Sequence, residues 1–107
     1  MKKIIKSALA IAMTLLPLSA FSLEFFVGKV TYLEPTYMPG VIRFTVNGGN
    51  SNCPAGKAIT WANANVENNK VVYSTLMAAL MADKTVRIYA NDGDVSCKAQ
   101  FLHLLPN

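Results

Sequence analysis

Two cysteines, one histidine and six carboxylates are the groups best suited to covalent, metal or acid–base chemistry in this 107-residue chain. Cys53 and Cys97, in an oxidising compartment, predict one disulfide. A bridge closing a loop of that length contributes about 4 kcal/mol in the chain-entropy model. Two free or metal-bound thiols are the competing reading. Only His103 remains as a nitrogen ligand, so no metal site is expected. His103 lies among Phe101, Leu102, Leu104 and Leu105 near the end of a strand, a structural or solvated setting rather than that of a catalytic triad. Gly56-Lys57-Ala58 lacks the Ser or Thr and the spacing of a phosphate loop. Asp92 and Asp94 flank Gly93 and read as a turn, too few carboxylates for calcium. Glu24 and Glu34 have nothing to pair them as acid and base. The expectation is a protein that is not an enzyme and carries no cofactor.

The aromatic residues offer more. Tyr32, Tyr37, Trp61, Tyr73 and Tyr89 present flat amphipathic surfaces, and Arg43 and Arg87 fall on the outer faces of strands. Such residues hold sugars or bases by stacking and hydrogen bonding. Core packing competes for most of them, and Tyr89 and Arg87 are expected to face outward.

These side chains must be positioned by a small set of elements. Glu24 to Leu33 is rich in aromatic and β-branched residues and predicts a long first strand. Gly28 within it marks a bulge or a close backbone approach. Residues 34–40 form a proline-containing turn. Val41 to Val46 alternates, with Ile42, Phe44 and Val46 on one face, which predicts a half-buried strand. Residues 47–52 form an Asn/Gly loop, and a third strand is expected around Trp61. Val71 to Ala82 predicts the helix, after several candidate caps in residues 63–69. Ten of those twelve helical residues are apolar, which implies cover on more than one side, as packing against further copies of the chain would give. Small, helix-favouring alanines are the plainer account. Thr85 to Ala90 alternates with Val86, Ile88 and Ala90 inward, and Cys97 to Leu104 is the last strand. The order β-β-β-α-β-β predicts an all-β fold with one helix, a five-stranded OB-fold barrel. An open α+β sheet with the same order is the rival.

The N-terminus has the three parts of a Sec signal peptide: Lys2, Lys3 and Lys6, an apolar run from Ala8 to Leu16, and small residues before a cut after Ser22. Residues 1–22 are therefore expected to be the signal and 23–107 the exported domain, periplasmic or secreted. The apolar run is too short for a membrane anchor. The formal charge of +4 includes the three signal lysines. Without them, seven Lys and Arg stand against six Asp and Glu, leaving +1. Net charge therefore gives no support for a nucleic-acid partner.

The run from Tyr73 to Tyr89, with its small-residue helix, polar turn and Val86-Arg87-Ile88-Tyr89, resembles the helix-to-strand segment of the B subunits of subtilase cytotoxin and related pertussis-like AB5 toxins. The secretory signal and the Gly28-Lys29-Val30 strand agree with it. The resemblance implies an OB-fold, a homopentamer with helices around a pore, binding of cell-surface glycans, and a toxin A subunit as partner. A surface glycan site is expected near the first strand, where Val27, Lys29 and Thr31 share a face, joined by Tyr89 from the strand after the helix. Those subunits carry a serine directly before the strand's glycine, where this chain has Val27. A valine neither donates nor accepts the hydrogen bond a sugar carboxylate needs, so neutral sugars or weak binding are expected. The alternative is a stand-alone interaction or structural protein on the same domain, with no glycan site.

Overall fold

The computed structural model describes residues 22–106; all of the expected signal peptide except Ser22 lies outside them. Five strands and one helix follow in the order β1 (Leu23–Glu34), β2 (Ile42–Val46), β3 (Ile59–Trp61), α1 (Val66–Ala82), β4 (Thr85–Asn91) and β5 (Ala99–Leu104). Every strand pairing is antiparallel, in the sheet order β3-β2-β1-β4-β5. β1 serves both halves. Its residues Leu23 to Lys29 pair with β4, and Val30 to Glu34 pair with β2 across an irregularity between Val30 and Tyr32. Gly28 has the close approach expected of it, for a Cβ there would sit 2.6 Å from the Gly48 nitrogen.

The sheet is not a closed barrel, and the OB-fold expectation is corrected here. Strands β3 and β5 are its two edges. The pairing between them is a single parallel bridge, Thr60 with Lys98 just before β5, where the Thr60 N–H donates to the Cys97 carbonyl at 3.1 Å. One bridged pair is not a ladder. The reason is local: β3 is three residues long, and the chain then leaves it for the helix. Buried Asn69 fixes that exit. Its amide oxygen accepts the Asn63 N–H at 2.9 Å, and its Nδ2 donates to the carbonyls of Asn63 at 3.0 Å and Pro39 at 2.7 Å.

Helix α1 begins five residues before the expected start, because Asn65 caps it by accepting the Glu67 N–H at 3.0 Å. The polar residues 67–70 hid that first turn from an apolar-pattern reading. Its buried residues are Asn69, Val72, Leu76 and Ala79, a three-and-four spacing that makes one stripe. That stripe packs with Phe26, Ile42, Phe44, Val46, Ile59, Val86 and Ile88. A single covered stripe is what a helix lying on one sheet requires. Met81, on the other side, is 79% exposed. The pentamer implied by the toxin resemblance loses its basis along with the barrel.

The expected disulfide is present. Cys53 and Cys97 are bonded, with Cα atoms 5.8 Å apart and a sequence separation of 44. The bridge ties the loop after β2 to the entry of β5. There, Asp94 accepts the Ser96 hydroxyl and N–H on one carboxylate oxygen and the Lys98 N–H on the other. The Ser96 hydroxyl holds the Asp94 carboxyl below the usual carboxylate range; partial desolvation opposes this, and the two N–H groups and the Lys98 charge assist it.

Two outcomes are expected. Replacing both cysteines by alanine should lower stability by about 4 kcal/mol, read as a fall in the urea midpoint of the oxidised wild type against the variant. The folded pKa of Asp94 is depressed, so its stabilisation is complete above the unfolded value of about 3.9 and is lost as pH falls through the folded value. The Tm gap between wild type and Asp94→Asn should therefore narrow as pH drops from about 6 to below about 3.

Candidate interaction face

Strand alternation decides what the β1–β4–β5 part of the sheet shows to solvent. Phe26, Val86 and Ile88 point into the core, so their sequence neighbours point out. Register then aligns those neighbours in rows across the strands. Phe25 pairs with Tyr89 and Tyr89 with Phe101; Val27 pairs with Arg87 and Arg87 with His103. Tyr89 lies at the centre, with ring centroids 5.8 Å from Phe25, 6.4 Å from Phe101 and 5.1 Å from His103. The Arg87 guanidinium carbon lies 5.3 Å from the centroid of the Phe25 ring, within cation–π range.

This face is apolar and open. Phe25 is 56% exposed, Phe101 53% and Val27 42%. Single exposed apolar residues are ordinary, but adjoining aromatic ones rimmed by polar groups mark a contact surface. The helix covers the opposite side of the sheet.

Of the residues expected to form a glycan site, Val27 and Tyr89 lie on this face. Val27, Lys29 and Thr31 share one side of β1, as alternation requires. The polar groups of the last two are engaged within the domain. Lys29 Nζ pairs with Asp83 at 2.8 Å, just past the helix, and the Thr31 and Thr45 hydroxyls hydrogen-bond at 2.8 Å toward β2. Arg87 joins Tyr89 on the outward side. Phe25, Phe101 and His103 complete the face, and sequence reasoning did not assign them to it. Phe25 stands two residues before Val27, so parity alone was enough to find it. Phe101 and His103 needed the β4–β5 register, which no local pattern carries.

Away from this face, a concavity of about 430 Å³ is lined by Val41, Thr60, Trp61, Asn63, Lys98 and Gln100 among others. Its aromatic wall is Trp61, whose Nε1–H donates to Asn68 at 3.1 Å. Among the described residues no group of three His, Cys, Asp or Glu side chains is placed to hold a metal ion, and no helix is long and apolar enough to cross a membrane.

No family model, curated protein or solved structure matches the chain. The resemblance of residues 73–89 to toxin B subunits therefore finds no support in any of these comparisons and is corrected here. The open sheet removes the barrel on which the glycan-binding, AB5-toxin and A-subunit implications rested.

The face is separable from the core in stability. Phe101→Ser should cost about 1 kcal/mol, the scale of a lost cross-strand aromatic pair. Ile88→Ala, on the adjoining strand but pointing inward, should lose about 2–5 kcal/mol. Paired urea titrations of the two variants check both values.

Proposed function

We propose that the chain is an exported, disulfide-stapled interaction domain that binds another protein through the outer face of β1, β4 and β5, without chemistry of its own. The observation that carries this reading is the outward Phe25–Tyr89–Phe101 row, exposed at its two phenylalanines, with Arg87 beside it. Aromatic residues and arginine dominate the energetics of protein–protein contacts, because each removes a large rigid area from water at small entropic cost. Export is supported by the N-terminal charge and apolar pattern together with the Cys53–Cys97 bridge, since disulfides persist in oxidising compartments.

The test is site-specific photocrosslinking in the native host. A benzophenone side chain at position 101 should give a discrete higher-mass adduct with a second protein. The same group at Ser74, exposed on the helix, should not. Absence of an adduct at position 101, or equal adducts from both positions, would overturn the reading.

A further inference from the structure

We infer that Arg87 reads a carboxylate: the partner seats an Asp or Glu side chain on its guanidinium, with neighbouring apolar side chains laid along Phe25, Tyr89 and Phe101. This rests on the interaction reading above and names the partner's chemistry.

The case starts from what Arg87 lacks. The ion pairs among the described residues are Lys29 with Asp83, Arg43 with Glu34 and Lys70 with Glu67, and none includes Arg87. Its Nε is shielded from solvent and has no hydrogen-bond partner. A shielded donor cannot itself meet a partner's carboxylate, so what the strand offers outward is the positive charge of the guanidinium, which no carboxylate among the described residues balances. Arg43 provides the internal contrast: on the same sheet, it has a carboxylate 3.6 Å away.

What holds Arg87 in place is packing. Its guanidinium lies against the Phe25 ring at 5.3 Å, and the residues paired with it across the sheet are Val27 and His103. None of these is an anion. Arginine's planar fork suits a carboxylate by two parallel hydrogen bonds, and the adjoining aromatic surface lowers the local dielectric in which that pair forms. Positive charge beside an exposed aromatic row therefore selects an acidic residue next to aromatic or aliphatic ones. A lysine would supply the charge without the fork.

The experiment uses a displayed library of random dodecapeptides, selected on the immobilised, disulfide-intact protein. Enriched peptides should carry Asp or Glu adjacent to apolar residues. Changing that Glu to Gln in the peptide should weaken binding at least about tenfold, with no change to the protein. Arg87→Gln should do the same against the unchanged peptide, and Arg87→Lys should restore only part of the loss. Peptides that lose affinity with Phe101→Ala but ignore both the Gln peptide and Arg87→Gln would remove the carboxylate and leave the face. Peptides indifferent to Phe101→Ala as well, or no enrichment, would remove both. Stronger binding of a phosphopeptide or of sialyllactose than of the acidic peptides would overturn the assignment to a protein carboxylate.

Discussion

Strand β1 has to pair with β4 along its first half and with β2 along its second, and this double duty shapes the molecule. A straight strand cannot follow two neighbours that diverge. The ladder therefore shifts between Val30 and Tyr32, where an irregularity sharpens the local twist. Just before the shift, the loop after β2 crosses β1 so closely that both residues must be glycine. A Cβ on Gly28 would meet the Gly48 backbone, and one on Gly48 would meet the Val27 carbonyl. The same stretch of β1 thus turns Val30 and Phe26 into the core and leaves Phe25 and Val27 outside.

An open sheet has two edges, and unpaired edges invite pairing with other chains. Here β3 is limited by brevity, and the start of β5 by covalent restraint. β3 ends after three residues because the Asn69 amide ties Asn63 and the Pro39 turn to the start of the helix. β5 begins only after Cys97, which has a left-handed backbone at φ 59° and is bonded to Cys53. The disulfide lies next to the Thr60–Lys98 bridge, where the entry to β5 meets β3. A domain of this size buries too little surface to be secure by its core alone, so the disulfide and the Asn69 network set its shape as well as its stability.

The parts of this fold that were legible in the sequence are those with a local cause. Alternation placed Ile42, Phe44, Val46, Val86 and Ile88 in the core, and two cysteines sufficed for the bridge. The helix end at Ala82 was legible because Asp83 and Lys84 interrupt the apolar run. Its start was not, since a polar first turn looks like a loop until the Asn65 cap is seen. Barrel closure failed for a different reason. It depends on whether two distant edges form a ladder, and neither edge encodes the other's position. An element order compatible with a barrel is equally compatible with an open sheet whose third strand is cut short. The candidate face divides along the same line: Arg87 and Tyr89 were found by parity within a strand and Val27 by its place before Gly28, whereas Phe101 and His103 joined them through register.

The composition of that face bears on why it exists. Phe25 and Phe101 are more than half exposed, so folding gains little from their rings, while solubility suffers from displaying them. Arg87 leaves a shielded donor unpaired, which opposes folding. Natural domains place such locally unfavourable groups at sites of function, and the rest of the structure sustains them. Here the supporting structure is identifiable. Val86 and Ile88, on either side of Arg87, are fully buried, and the β1 and β5 ladders hold β4 on both edges. Among the described residues, the side chain with this shielded, unpaired donor is therefore mounted on a strand gripped from both sides, which keeps the guanidinium and the aromatic row in fixed relation and lowers the entropy lost when a partner binds.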